Sequence, residues 1–353
     1  MDRHKKRRPR AMIPELKSEI RRPNAEVRSS RTCRSARGGW GVGWLVLGVG
    51  LTLRQLGFTL ACLAFALAPA LAQTPAPGEN NFSFAITCDM RQYVGPAPKG
   101  KRYFDGACEA LQRIGPGAFM IVPGDCDPIP PVRATLDRYL GSNYVWYPVA
   151  GNHEADTRQD MAWLRRWASN GIPNLVRSGP AGAEATMYAF DYANSHFVAL
   201  NDYFNGKSDT GARGDVATAA LDWLAHDLAA TKQPLIWVIG HAPIESQPDM
   251  DNGRVRHDSG DLMARPKHGE PFVSLLKQYH VRAYLCGHTH NTSAVKVRGL
   301  WQVDAGHARG AGDKGAASTF LKIRVTGTQA WLDIFRADKN GQNYQLKHTV
   351  ELD

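Results

Sequence analysis

Val145-Trp146-Tyr147-Pro148-Val149-Ala150-Gly151-Asn152-His153-Glu154 is the stretch whose reading decides the fold. Its apolar run, Val145–Val149, predicts a buried strand. Gly151 ends the run, and an amide, an imidazole and a carboxylate follow at once. The same sentence is written elsewhere in the chain. Upstream, Ala118–Val122 runs into Gly124-Asp125, and Phe82–Thr87 runs into Asp89. Downstream, Pro234–Ile239 runs into Gly240-His241, and Val281–Leu285 into Gly287-His288-Thr289-His290. In open α/β sheets, ligand sites lie at the carboxyl ends of strands. Strands of one sheet system therefore bring these distant residues together, and glycine beside most of them lets backbone and ligand approach closely.

Between the strands lie amphipathic segments. Phe104–Ile114, Val132–Leu140, Asp160–Ala168, Asp215–Ala230 and Phe272–Tyr279 carry helical spacing, with Leu221, Leu224 and Leu228 as one example. Met187–Asn201 alternates about Asn194-Ser195 and predicts a hairpin. After Thr292 short strands dominate: Ala294–Val297, Trp301–Val303, Phe320–Val325 and Ala330–Phe335. Alternating helices and strands followed by antiparallel strands predict an α/β fold, two packed sheets with helices outside. Residues 245–269 lack periodicity and are read as a long loop that starts just after His241. A loop of that length is a substrate loop or an ordinary insertion.

The net charge of +10 suggests a polyanionic partner, but its location removes the suggestion. Residues 1–72 hold 14 basic and 4 acidic residues, leaving 43 − 14 = 29 and 33 − 4 = 29 for the rest, which is neutral. No duplex nucleic acid is expected as a partner. Leu56–Ala72 reads as a secretory signal ending in Ala70-Leu71-Ala72, preceded by a basic extension over 1–53. A periplasmic or secreted protein without a stable membrane anchor is expected, with a linker over 73–81 and the functional domain over 82–353. Cys88, Cys108, Cys126 and Cys286 fit no zinc ribbon or redox pair; an exported enzyme could use one or two pairs as disulfides, with no pairing assigned, and Cys88, Cys126 and Cys286, beside the motifs, are read as small buried residues.

Taken in order, Asp89, Gly124-Asp125, Gly151-Asn152-His153-Glu154, Gly240-His241 and Gly287-His288-Thr289-His290 resemble the calcineurin-like metallophosphoesterase superfamily. The resemblance implies a four-layer α/β/β/α sandwich of two mixed sheets flanked by helices. It implies two divalent or trivalent metal ions, Mn, Fe or Zn. Asp125 would bridge them; Asn152, His241 and His288 would complete one site, Asp89 and His290 the other. It further implies hydrolysis of a phosphomono- or phosphodiester by metal-activated hydroxide, with His153 protonating the leaving oxygen and Glu154 helping to orient His153. The partner would be a small anionic phosphate ester.

The first motif departs from the family. Asp-x-His is usual; Asp89-Met90-Arg91 stands here, and guanidinium does not bind metal. Purple acid phosphatases replace that histidine with a tyrosine three residues after the bridging aspartate, where this chain has Pro128. Protein phosphatases carry there an aspartate that supports the catalytic histidine; the nearest here is Asp127, one residue early. Arg91 is read as a phosphate-binding residue beside a metal with three protein ligands, or Gln92 or Tyr93 substitutes. Arg254, Arg256, Arg265 and Lys267 make the 245–269 loop basic, for an anionic substrate or as a solvated face. His307 is open between substrate contact and core, while His196, His226, His257, His268, His280 and His348 are read as core or surface residues. The competing function is a degenerate, non-catalytic metal-binding domain of the same fold.

Overall fold

The structure, a computed structural model, describes residues 80–91, 101–257, 260–309 and 315–353. The signal, the basic extension, most of the linker, and Gln92 and Tyr93 lie outside the described residues. The chain runs β1 (Asn81–Ile86), α1 (Lys101–Ile114), β2 (Phe119–Val122), α2 (Ile129–Leu140), β3 (Val145–Pro148), α3 (Asn152–Asp156) and α4 (Arg158–Ser169). It continues through β4 (Leu175–Ser178), β5 (Tyr188–Tyr192), β6 (Ser195–Ala199), α5 (Thr218–Ala230), β7 (Leu235–Ile239), α6 (Pro266–Gln278) and β8 (Ala283–Cys286). It closes with β9 (Thr292–Val297), β10 (Leu300–Ala305), β11 (Thr319–Thr326), β12 (Gln329–Arg336) and β13 (Gln345–Glu351).

Two mixed sheets result, ordered β13-β12-β11-β1-β2-β3 and β4-β5-β6-β7-β8-β10-β9. The first holds the parallel run β1-β2-β3 and the second the parallel run β6-β7-β8-β10. Side chains that alternate inward from both sheets fill the space between them. Phe84 stacks on Phe119 at 5.2 Å, Tyr147 lies on Phe190 at 3.5 Å, and Phe190 lies on Phe197 at 4.8 Å. Buried Trp237 closes the same cluster against Phe84. On the outer faces, α1, α2 and α4 bury Phe104, Leu111, Val132, Leu136 and Leu164 against the first sheet. Leu224, Leu228, Phe272 and Leu276 of α5 and α6 pack on the second. These are the four layers the sequence predicts.

Several boundaries differ from the sequence reading, each for a local reason. β1 starts at Asn81, one residue early, and α2 starts at Ile129 with prolines in its first turn, where a missing N–H costs nothing. The 245–269 segment is only partly a loop: a 3₁₀ turn spans Leu262–Ala264 and α6 begins at Pro266. β4 and β13 are absent from the sequence reading. Both are edge strands of exposed character, so their apolar pattern is weak. Cys88, Cys126 and Cys286 are buried as read, and all four of Cys88, Cys108, Cys126 and Cys286 are free thiols.

Candidate metal centre and active site

The ligand-bearing loops leave the carboxyl ends of β1, β2, β3, β7 and β8 together. Their backbones turn sharply to do so. Asp89 (φ 57°), Asp125 (φ 57°), His288 (φ 70°) and His290 (φ 58°) all occupy the left-handed region, uncommon for residues with a side chain. Strain of this sort persists where the surroundings over-determine it, and it gathers at functional sites. Glycine beside these residues is required sterically. A Cβ on Gly151 would lie 2.3 Å from Asp125 Oδ1.

The six expected ligands converge as two clusters. In one, carboxylate and imidazole atoms of Asp89, Asp125 and His290 lie within 4.8 Å of one another, and His290 Nε2 is 3.0 Å from Asp89 Oδ1. In the other, Asn152 Oδ1 lies 3.2 Å from both His241 Nε2 and His288 Nδ1, and those two nitrogens are 3.2 Å apart. His241 Nε2 is 3.5 Å from Asp125 Oδ1, which joins the clusters. Ligand bonds of about 2.0–2.2 Å put neighbouring donors roughly 3–3.5 Å apart, so the donor sets fit metal ions. Imidazole with carboxylate suits borderline metals. The charge balance agrees. Burial opposes ionisation of Asp89, yet His290 holds its carboxyl far below the usual range. Burial likewise opposes protonation of His241, but Asp125 and Asp89 push it up to about 9. The carboxylates draw positive charge to this spot.

A set of buried carboxylates stitches the loops from behind. Glu154 accepts the backbone N–H groups of Asp125 (2.9 Å), Cys126 (2.5 Å) and Gly151 (2.7 Å). Asp202 accepts those of His241 and Ala242, both at 2.7 Å. Asp304 accepts from Thr289 Oγ1 at 2.6 Å and from the Gly306 N–H at 3.0 Å. Burial pushes Glu154 and Asp304 up to about 8 and Asp202 to about 6. His241 is fixed further by its Nδ1, which donates to Pro123 O at 2.7 Å and leaves Nε2 for the centre.

The expected role of Glu154 is corrected here. Its oxygens are taken by three amides, and the carboxylate beside the His153 ring is Asp127, whose Oδ2 is 3.2 Å from Nδ1. The same oxygen lies 3.4 Å from Arg91 Nε. The His153 bond first, and then Arg91, hold Asp127 below the usual carboxylate range. His153 Nε2 is thereby turned to the centre, 3.7 Å from Asp125 Oδ2. Arg91 does not join either ligand cluster; it closes the chain Arg91–Asp127–His153 at the rim.

The 245–269 segment lies on the centre. The His257 ring, read from sequence as core or surface, sits 5.1 Å from His288 and 5.7 Å from His290. Arg256 Nη1 is 2.6 Å from His290 Nδ1. Gly260 packs so closely that a Cβ would meet His288 Nε2 at 2.5 Å. The segment is clasped away from the centre by Arg336, which is buried and forms a two-point pair with Asp249 at 2.8 and 3.1 Å. His307 is buried with its ring 5.8 Å from His290, and Tyr203 lies 6.2 Å from the His241 ring. His196 is far from this, locked between Asp191 and Asp227 at 2.7 and 2.8 Å. No sequence signal marks His257, Asp202 or Asp304. Each acts through a contact that the chain makes only when folded.

Comparisons with known proteins agree with this geometry. Residues 84–292, more than half of the chain, match the model of the calcineurin-like phosphoesterase family. The chain belongs to that family. It is 30% identical over 161 residues to tartrate-resistant acid phosphatase type 5 of Rattus norvegicus, and equally to the Mus musculus protein. Those alignments cover 44% of this chain and 45% of each relative, so the chain matches under half the length of these phosphatases. A solved structure, that of PhoD, superposes with a TM-score of 0.54 at 13% identity, covering 79% of this chain and 72% of PhoD, which supports the fold.

Proposed function

We propose that this chain is an exported, metal-dependent phosphoesterase that hydrolyses small phosphomono- or phosphodiesters at a two-ion centre. The observation that carries the reading is the pairing of the two ligand clusters with His153 at their edge. A pure metal binder has no use for an imidazole that is held by Asp127 and turned toward the centre. Asp125, Asn152, His241 and His288 would hold one ion, and Asp89, Asp125 and His290 the other. Ions bound there supply Lewis acidity at the phosphorus and acidify water. The protein's own part is positional. Asp127 fixes the His153 ring, and Nε2 delivers a proton to the leaving oxygen of the ester. Arg91, at the same rim, offers a guanidinium to a phosphoryl oxygen. Export rests on the Leu56–Ala72 signal, flanked by Arg54 and ending in the small-residue site Ala70-Leu71-Ala72. Sequencing of the released protein is expected to begin at or near Gln73; a chain beginning at Met1 would overturn export.

The test of the activity is metal-dependent hydrolysis of p-nitrophenyl phosphate and bis(p-nitrophenyl) phosphate, with Mn, Zn or Fe supplied in turn. His153→Asn is expected to lower kcat by about 10²–10⁴-fold, the usual worth of a general acid, while metal content stays that of the wild type. Turnover that survives His153→Asn would remove His153 from the reaction. Bound metal without turnover on any ester would favour the non-catalytic reading, which Arg91 in the first motif otherwise supports alone. The Asp89 side has three protein ligands, so its ion is expected to leave first on dialysis. Two ions retained equally would contradict that arrangement.

A further inference from the structure

Tyr203 follows Asp202, the carboxylate behind the His241 loop, and its backbone is held at both ends. Its N–H donates to Asn201 Oδ1 at 2.9 Å, and its carbonyl accepts the Gly211 N–H. The residue is 4% exposed, with its ring 6.2 Å from the His241 ring. Gly214 packs on the ring tip, where a Cβ would lie 3.7 Å from the hydroxyl and 3.1 Å from the Ala242 Cβ. Asp215, the next residue, donates its N–H to Asp202 O at 2.7 Å and keeps that wall in place. A buried tyrosine usually puts its O–H on a partner. Among the described residues the other buried tyrosines, Tyr103, Tyr147, Tyr188, Tyr284 and Tyr344, each donate to a backbone carbonyl. The Tyr203 hydroxyl donates to none of the described residues.

The hydroxyl end of this ring faces the centre. Burial pushes the phenol well above its usual range, and the next cause is the charge of Asp125, ahead of Asp202, its neighbour in the chain. Asp125 is the carboxylate that joins the two ligand clusters, and it is approached at both oxygens. His241 Nε2 is 3.5 Å from Oδ1, and His153 Nε2 is 3.7 Å from Oδ2. Tyr203 stands with His241, at the Oδ1 side, and the proton donor His153 stands at the other. We infer that Tyr203 is a substrate-binding residue, its hydroxyl donating to a phosphoryl oxygen that stays on phosphorus while His153 serves the oxygen that leaves. This inference rests on the phosphoesterase reading above. The chemistry suits the task. A phenol kept protonated among carboxylates adds a donor to the centre and no further negative charge. Its walled ring is in position before a substrate arrives, so the contact costs little ordering.

The experiment uses the full chain supplied with Mn²⁺ and compares wild type with Tyr203→Phe, which removes the O–H and keeps the ring. Calorimetric titration with inorganic phosphate reads the contact without any turnover. A hydrogen bond to a charged oxygen is worth about ten- to a hundredfold in affinity, and Kd for phosphate is expected to rise by that factor. KM for p-nitrophenyl phosphate is expected to rise with it, by more than kcat falls. Mn²⁺ content and melting temperature are expected to stay those of the wild type. Equal phosphate affinity in the two proteins overturns the inference, and so does a wild type that binds no phosphate. Loss of Mn²⁺ or a lowered melting temperature in Tyr203→Phe, with phosphate affinity falling in step, overturns it as well, because the hydroxyl then serves the metal or the packing. Wild type that binds phosphate and hydrolyses no ester overturns the phosphoesterase reading, while the titration still decides whether Tyr203 holds the oxyanion.

Discussion

Asp127 sits one position early for the aspartate that supports the catalytic histidine in protein phosphatases, yet its carboxylate lies 3.2 Å from His153 Nδ1. A side chain reaches its partner through space, and the turn after β2 makes up the missing residue. Asp127→Asn is expected to keep the shape of the contact but lose its charge. It should lower kcat by about ten- to a hundredfold, less than removal of His153 itself, because the proton donor remains and only its orientation suffers. Steady-state kinetics with metal content measured alongside would check this, and an Asp127→Asn enzyme at wild-type kcat would detach the pair from catalysis. Glu154 shows the opposite case, a residue that is part of the most legible motif and acts on none of the chemistry. Its three amide bonds predict that Glu154→Gln, which turns an N–H₂ toward backbone N–H groups, destabilises the protein by about 2–3 kcal/mol. Thermal denaturation of the two proteins would show it. A further titration belongs to His196. Burial opposes its charge, but Asp191 and Asp227 raise it to about 9, above the ordinary value of 6.5. The folded protein therefore binds more protons than the unfolded chain between those values. The stabilisation is complete below about pH 6.5 and is lost as pH rises through 9, on the order of 3 kcal/mol in all. His196→Gln should flatten the fall in urea midpoint between pH 7 and pH 9.5.

At the scale of elements, the loops that hold the centre are set by steric fit as much as by hydrogen bonds. Gly260→Ala places a methyl group 2.5 Å from His288 Nε2, so the 245–269 segment must lift from the centre or His288 must turn. About a tenfold loss of metal affinity is expected, with little change in melting temperature, since the packed layers lie elsewhere. Dialysis followed by metal analysis reads the first and calorimetry the second. The elements most legible in the sequence were those with an inside. β1, β2, β3, β7 and β8 are buried runs ended by glycine or a ligand, and α5 announces itself with leucines at helical spacing. Those that escaped have little inside to show. β4 leaves Leu175 and Val176 exposed at a sheet edge, and β13 is mostly polar, with Leu346 exposed as well. The first turn of α6 hides behind Pro266 and Pro271. The same division runs through the site. Candidate ligands at strand ends could be named from residue order, while Asp127 on His153, His257 beside His288 and His290, and Asp202 and Asp304 behind the site depend on approach between segments that no spacing encodes.

For the molecule as a whole, the two sheets share one aromatic core, and a loss there is felt by both. Trp237 is fully buried against Phe84 and Phe197, and Trp237→Ala is expected to cost about 3–5 kcal/mol and to lower the melting temperature accordingly. β1 sits in the middle of its sheet. One neighbour is β2, some thirty-five residues on, and the other is β11, paired from Asn81↔Thr326 to Ile86↔Leu321. Asp89 hangs from the end of that strand. During synthesis every candidate metal ligand has been made by residue 290, while the strand that flanks β1 is still to be made. A chain interrupted after β10 therefore carries a complete list of ligands on an incomplete sheet. Its first ligand is attached to an edge strand able to pair with another molecule. Completion of the last three strands is thus what gives β1 its second neighbour, and a chain truncated after β10 is expected to aggregate more readily than the full chain.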